Sequence, residues 1–193
     1  MTTPAAPAHP CRRCSRALGT ACCEVDVHEQ LATLTHADLE RIRQATARAA
    51  ASFAEEEWFT EAEARDYEER RPLYRGYFRH ATARLTLRRK DGACVFLDRS
   101  TGCTLAPDVR PTACLLYPFD LFAGGEWGVA LGKFGSLEEA RAHRGEACLA
   151  IEEADGLDAL LRTFGTTREE IEALGQRLAA EVAGHGRRGR PLA

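Results

Sequence analysis

The sequence predicts a mainly helical α+β fold with a small β-hairpin region and with cysteine-bearing loops gathered into a metal site. Apolar residues recur at helical spacing in several segments, whereas one alternating segment precedes the turn dipeptide Asp91-Gly92. All cysteines but Cys148 lie in residues 11–23 and 94–114. A chain of 193 residues, of which 45% are hydrophobic, can bury one ordinary core without disulfide support.

The chain is predicted to form one domain over residues 11–183, with a helical C-terminal part at 150–183. Residues 1–10 are rich in proline and alanine, and residues 184–193 are basic and rich in glycine. Neither stretch offers apolar residues at a regular spacing. We therefore expect a disordered lead-in over 1–10 and a disordered basic tail over 184–193.

The first long helix is predicted over residues 36–56. Thr35 and Asp38 have the spacing of a near capping box, and apolar residues at helical spacing follow them. A second helical segment lies between residues 58 and 80 and is interrupted at Pro72. Its many aromatic side chains are expected to pack over the core.

A β-hairpin is predicted in the middle of the chain. Residues 83–88 alternate, Asp91-Gly92 is a typical hairpin turn, and residues 94–97 return as the second strand. This places Cys94 on the return arm. A further short strand is predicted at 24–27.

Two prolines, Pro111 and Pro118, bracket a short helix that carries Cys114. Pro111 is tolerated only in a first helical turn, and Pro118 forces the residue before it out of the α region. The position of Cys114 near the N-terminal end of this helix, with Arg110 nearby, favours its thiolate form.

The last third of the chain is predicted to contain one strand followed by three helices. The strand follows the turn Gly124-Gly125, and two of the helices begin with a capping box. The approximate ranges are 127–131 for the strand and 136–143, 157–164 and 168–183 for the helices.

Composition limits the classes of partner and compartment. A formal net charge of −3 does not indicate nucleic-acid binding by the chain as a whole. No apolar run approaches the roughly 20 residues of a membrane span. Residues 1–10 lack the apolar region of a secretory signal peptide, and the cysteine content is well below that of a disulfide scaffold. We expect a cytoplasmic monomer with reduced thiols and a redox or protein partner, and neither nucleic acid nor a membrane as a partner.

The cysteines are the candidate metal ligands. Thiolate is a soft ligand, and a set of four suits either Zn²⁺ or a [4Fe–4S] cluster. Adjacent cysteines point in different directions, which favours separate iron atoms or separate sites over one compact zinc. The histidines at 9, 28, 36, 80, 143 and 185 share no ligand spacing and are expected to be solvated. We therefore favour an iron–sulfur cluster, with Zn²⁺ as the alternative, on ligands Cys11, Cys14, Cys22, Cys23, Cys94, Cys103, Cys114 and Cys148.

Several catalytic motifs are matched only in part. Pro10 to Cys14 resembles half of a zinc-deaminase signature, but that signature needs an upstream H-x-E, and the ten residues before Cys11 do not contain one. The same pair lacks the βαβ context of a thioredoxin-like site. Gly128 to Lys133 is one residue too short for a phosphate-binding loop, and there is no nucleophile elbow.

Four features together resemble a known family. They are the C-x-x-C pair with the double cysteine after it, the helix start from Leu34 to Ile42, the block from Cys94 to Pro118 with its Arg-Pro-x-x-Cys element, and the late Cys148. This order is similar to the YkgJ family of bacterial cysteine-cluster proteins, the CxxCxxCC domain, over roughly residues 11–148. The gap between Cys14 and Cys22 is longer than is usual in that family. The resemblance implies zinc or iron chelation by the eight cysteines and a label of Fe–S oxidoreductase without a known reaction.

Three functions are compatible with these residues. The first is a redox protein whose cluster passes electrons or senses oxidants, with Arg12, Arg13 and Arg110 offsetting the negative charge of the thiolates. The second is a binding or interaction module in which zinc holds loops together. The third is a cluster-bearing enzyme, distantly similar to the flagellin lysine methylases, which share related cysteine motifs. Its pocket would lie in the aromatic and arginine-rich segment 58–80.

Overall fold

The computed structural model describes residues 31–129 and 156–185. Within these residues, helices are combined with four two-stranded antiparallel sheets, which confirms the α+β class. No helix among them is both long and apolar enough to cross a bilayer. The predicted strand at 24–27, the predicted helix at 136–143 and five of the candidate ligands lie outside the described residues, these ligands being Cys11, Cys14, Cys22, Cys23 and Cys148.

Helix α1 (His36–Thr46) begins where the sequence predicts it. The Thr35 hydroxyl accepts the Asp38 N–H and the Asp38 carboxylate accepts the Thr35 N–H, so the capping box is complete. The predicted end at residue 56 is wrong. The helix stops at Ala47, which adopts a left-handed conformation with φ 55°, and a strand begins at Ala54. Pairing of that strand with a distant segment outweighs the helical spacing of the alanines.

The largest sheet pairs β1 (Ala54–Trp58) with β2 (Ala83–Leu87), antiparallel, with Ala54 opposite Leu87. Residues 32–34 run along the other edge of β2, where the Leu34 N–H donates to the Leu85 carbonyl at 2.8 Å. The predicted pairing of 83–88 with 94–97 is therefore wrong. Because β2 is buried along most of its length, both of its edges need hydrogen-bonding partners, and remote segments supply them.

Two short hairpins follow β2. The turn Asp91-Gly92 joins β3 (Arg89–Lys90) to β4 (Ala93–Cys94), and both turn residues have positive φ, as a tight hairpin requires. The turn and the position of Cys94 on the return arm are thus confirmed. The next pair is β5 (Leu97–Asp98) with β6 (Gly102–Cys103).

Helix α3 (Thr112–Leu116) confirms the short helix between prolines. Pro111 is its N-cap, and Tyr117 leaves the α region with ψ 136° before Pro118. Cys114 is the central residue of this helix.

The segment between the two strands of the large sheet is helical and is broken at Pro72, as predicted. Helix α2 (Glu61–Arg70) starts with a complete capping box from Thr60, and Pro72 begins a separate 3₁₀ turn, Pro72–Tyr74. Most of the aromatic side chains in this segment are buried or half-buried in the core, whereas Trp58 is 65% exposed.

The C-terminal elements also follow the prediction. Strand β7 (Phe119–Leu121) pairs with β8 (Trp127–Val129), and helices α4 (Leu157–Phe164) and α5 (Arg168–Gly184) come after them. Gly165 ends α4 in the left-handed conformation, with φ 64°. The capping box of Thr167 and Glu170 starts α5.

Two apolar clusters form the interior. The N-terminal core joins α1 to the large sheet and includes Cys94, whereas the C-terminal core joins the tyrosine-rich segment after α2 to β7, α4 and α5. Tyr77 connects them, because its hydroxyl donates to the Leu34 carbonyl at 2.6 Å and accepts the Leu85 N–H at 3.0 Å.

Candidate metal centre

Cys94 is the most deeply buried described cysteine, with 7% of its surface exposed, whereas Cys103 and Cys114 are half-buried. Burial raises the pKa of the Cys94 thiol, a backbone hydrogen bond from Phe96 opposes that rise, and the nearby Cys103 adds to it. A bound cation would reverse this balance, because a coordinating thiol is deprotonated outright.

Cys103 is held on a hairpin next to the strand that carries Cys94. Leu97 is paired with Cys103, and the Thr104 N–H and hydroxyl both donate to the Phe96 carbonyl, at 2.8 and 3.0 Å. These bonds tie the chain just after Cys103 to the chain just after Cys94. Neither thiol is part of a disulfide.

The turn before Cys103 is closed by Asp98. Its carboxylate accepts the Ser100 N–H at 2.8 Å and the Thr101 N–H at 2.7 Å, and it also accepts the Ser100 hydroxyl. These bonds, led by that of the Ser100 side chain, lower the pKa of Asp98 to about 2. Asp98 is therefore ionised at neutral pH and keeps the turn closed.

The helix that carries Cys114 is bonded to a buried carboxylate on a different helix. Asp38 Oδ1 accepts the Thr112 N–H at 3.0 Å and an ion pair from Arg41, while Oδ2 accepts the Thr35 N–H and hydroxyl at 2.8 and 2.9 Å. Asp38 has no solvent exposure. Asp38, which completes the capping box of α1, therefore also accepts the first N–H of α3, the helix that carries Cys114.

A second carboxylate, Glu181 of α5, contacts the same residues. Its Oε2 accepts the Thr112 hydroxyl at 2.9 Å and the Thr35 hydroxyl at 3.3 Å, and its Oε1 accepts Arg41 Nη1 at 3.1 Å. We refer to Thr35, Asp38, Arg41, Thr112 and Glu181 as the carboxylate network. It joins α1, α3 and α5 at one buried point.

The carboxylate network places two acidic groups close together. Burial raises the pKa of Asp38, and the neighbouring Glu181 raises it further, whereas hydrogen bonds from Thr35 and Thr112 oppose the rise. Arg41 bridges the two carboxylates and balances part of their charge.

The structure brings the three described candidate ligands to one core. Cys94 belongs to the N-terminal core, and Cys103 and Cys114 pack against it. Within residues 31–129 and 156–185, no three histidine, cysteine or acidic side chains are arranged to hold a metal ion, so these three thiols do not complete a site by themselves. The part played by the other five cysteines stays a prediction. The chain leaves the first cysteine group and enters the described fold at Leu31, which lies in the same core.

The donor set fits a soft metal. Cys94 and Cys103 form no disulfide, lie near each other, and carry the sulfur atoms that zinc and iron–sulfur clusters prefer as ligands. The Phe96 hydrogen bond to Cys94 is of the kind that tunes thiolate ligands in such sites.

The prediction that the histidines are solvated is wrong for His185. This residue is 7% exposed, stacks on Tyr77 with ring centroids 4.0 Å apart, and accepts the His36 N–H at Nδ1 at 3.3 Å. Burial, with His36 and His80 adding to it, lowers the pKa of His185 to about 3. The sequence placed His185 in a glycine-rich tail, but α5 extends to Gly184 and carries it into the core. His80, by contrast, is exposed.

An open groove lies where the sequence suggested a pocket. Helix α2 and residues 76–82 enclose a volume of about 550 Å³. Phe78 lies in its wall, and the Phe78 N–H donates to Glu68 at 2.8 Å. Arg65 and Arg79 give the groove cationic groups beside the acidic Glu68.

Sequence reasoning did not assign the carboxylate network. Asp38 and Thr35 were recognised as a helix cap, but nothing in the spacing indicated that the same carboxylate binds Thr112. Glu181 gave no signal at all, because it lies 146 residues from Thr35. Contacts of this length are set by tertiary packing alone.

Three thiols at the N-terminal core of an α+β fold are typical of a cysteine-rich protein with soft-metal ligands. The family model CxxCxxCC, described as "Putative zinc- or iron-chelating domain", matches residues 10–149, which is more than half of the chain. The chain therefore belongs to the CxxCxxCC family, and the resemblance stated from the sequence is confirmed. No curated protein and no solved structure matches the chain. The matched residues end before α4 and α5, so Glu181 lies outside them.

Proposed function

We propose that this protein binds an iron–sulfur cluster of the [4Fe–4S] type through cysteine thiolates and acts in electron transfer or another redox role. The observation that carries the proposal is the pair of neighbouring thiols Cys94 and Cys103, neither in a disulfide, at the core that also contains Leu31, the first described residue after the first cysteine group. Membership of a family described as zinc- or iron-chelating supports it.

The preference for iron–sulfur over zinc rests on the ligand types. The candidate ligands are all cysteines, and the adjacent Cys22 and Cys23 suit two iron atoms better than one tetrahedral zinc. The buried His185 already uses its Nδ1 as an acceptor for the backbone N–H of His36.

The described residues would bind and shield the group rather than react. An iron–sulfur cluster supplies reversible electron transfer when it is bound. Cys94 and Cys103 would each contribute a sulfur ligand, and the Phe96 hydrogen bond would favour the thiolate of Cys94. The apolar N-terminal core around Cys94 would keep water away from the sulfur.

Anaerobic purification followed by metal and sulfide analysis tests the proposal. We expect brown protein that absorbs near about 400 nm, contains iron and sulfide, and loses its colour in air. Cys94→Ser and Cys103→Ser should lower the iron content, whereas Ser100→Ala, which changes the hairpin of Cys103 without removing sulfur, should not. Colourless protein with stoichiometric zinc would overturn the cluster and favour a zinc-stabilised binding module.

A cluster-bearing enzyme is the second candidate, and the groove beside α2 is the observation that favours it. Its mixture of Arg65, Arg79 and Glu68 around Phe78 offers charged and apolar contacts to a small molecule or a peptide.

The proposal extends to a cytoplasmic monomer with a redox or protein partner. Size-exclusion chromatography of the anaerobic protein tests the monomer.

A further inference from the structure

We propose that the carboxylate network positions Cys114 for metal binding, and that α5 is a structural part of the metal centre through Glu181. This inference rests on the proposed function, in that Cys114 is taken as a ligand. It adds a positioning role for Glu181, which lies outside the family match because that match ends at residue 149.

Helix α3 is too short to hold its own geometry. This helix has only five residues, and Cys114 lies two positions after Thr112. A helix of one turn and a half is unstable by itself, so its geometry depends on the groups that hold its ends. Whatever fixes Thr112 therefore fixes the direction of the Cys114 side chain.

Thr112 is held at two points. Its N–H donates to Asp38 Oδ1 at 3.0 Å, and its hydroxyl donates to Glu181 Oε2 at 2.9 Å. Thr112 is fully buried, and Arg41 contacts both its hydroxyl oxygen and the Arg110 carbonyl. Hydrogen bonds to buried charged groups are stronger and more directional than exposed ones. The start of α3 is thus fixed relative to α1 and α5.

The second acceptor that holds Thr112, the Glu181 carboxylate, belongs to α5. Glu181 lies in the last part of this helix, four residues after Arg177, which donates to the same carboxylate at 3.1 Å. Arg41 and Arg177 bind one oxygen of Glu181 and leave the other directed at Thr112 and Thr35. The orientation of Glu181 is therefore set by charge pairs on both sides.

The test compares Thr112→Val, which keeps the shape and removes the hydroxyl, with Glu181→Gln. Thr112→Ser retains the hydroxyl and serves as the conservative rescue. Thr167→Val is the matched control, because it removes the N-cap of the same α5 at the opposite end of the helix, away from Cys114.

Two measurements apply to all four variants. The first is the rate at which iodoacetamide alkylates Cys114 in metal-depleted protein, followed by peptide mass spectrometry with Cys94 and Cys103 as internal references. The second is the rate at which the purified metal is lost to EDTA. We expect Thr112→Val and Glu181→Gln to raise both rates about tenfold, as for the loss of one hydrogen bond to a charged group. Thr112→Ser and Thr167→Val should resemble the wild type.

Equal rates at Cys114 in the wild type and in both Thr112→Val and Glu181→Gln would overturn the positioning role. An equal rise in Thr167→Val would overturn it as well, because the effect would then come from general loss of α5 stability. Failure of the proposed function is read separately, from the absence of iron and sulfide in the wild-type protein before any variant is made; a zinc-bound wild type would still allow the test of positioning.

Discussion

Replacement of Asp38 by alanine should cost far more stability than its role as a helix cap accounts for. The chain supplies a matched comparison, because Thr60 and Glu63 form the same capping box at the start of α2. In both boxes one carboxylate oxygen accepts the N–H and the hydroxyl of the N-cap threonine. The two boxes differ in burial and in tertiary bonds.

The magnitude follows from the groups that Asp38→Ala leaves unpaired. The buried N–H of Thr112 and the N–H of Thr35 each lose an acceptor, and Arg41 loses one carboxylate of its two. Breaking a buried ion pair on one side costs about 3–5 kcal/mol. Glu63→Ala removes only local, exposed bonds, and we expect a much smaller loss.

Urea denaturation followed by far-ultraviolet circular dichroism measures both free energies of unfolding, on proteins with equal metal content. Asp38→Asn should lie between the wild type and Asp38→Ala, because it keeps an acceptor for Thr112 but loses the charge that pairs with Arg41. If Asp38→Ala is no more destabilising than Glu63→Ala, the tertiary bonds of the carboxylate network contribute nothing to stability, and the reasoning fails.

Three further predictions follow from single side chains. Gly175→Ala would place a Cβ atom 2.7 Å from the Trp127 ring and should lower the free energy of unfolding by about 1–3 kcal/mol. Gly184→Ala is the control, because its Cβ atom would meet open space, and it should change the free energy of unfolding and the melting temperature little. Tyr77→Phe should cost about 1–3 kcal/mol in urea titrations, because it leaves a buried carbonyl and a buried N–H without their partner. His185 binds protons more weakly in the folded protein, at a pKa of about 3 against 6.5, so wild-type stability should fall as the pH decreases below about 6.5. His185→Asn should remove up to about 1.4 kcal/mol per pH unit of that slope, and an unchanged slope would contradict the assignment.

The local signals in the sequence were reliable where short-range chemistry decides the structure. The capping boxes of Thr35 and Thr167, the turn at Asp91-Gly92 and the break at Pro72 all occur as predicted. Each of these depends on the dihedral preferences or on the hydrogen bonds of residues a few positions apart. Cysteine spacing likewise indicated the family, which the match over residues 10–149 confirms.

The same kind of sequence signal gave wrong predictions where pairing between distant segments decides the structure. The alanine-rich run after Thr46 has helical spacing, but its last residues form the start of strand β1, because β2 needs a hydrogen-bonding partner along its edge. The pairing predicted for β2 within a local hairpin failed for the same reason. Hydrogen-bonding groups on a buried strand must be satisfied, and the segment that satisfies them is not determined by its own composition.

The sequence by itself determined the family of this protein, because the order and spacing of its cysteines match the family model, and it determined the helix caps, because those bonds are local. Only the tertiary structure decided that Asp38 and Glu181 meet at Thr112 and that His185 is buried against Tyr77. Both outcomes require the C-terminal helix to return to the first one. That return comes from the packing of apolar faces, which spacing along the chain does not encode.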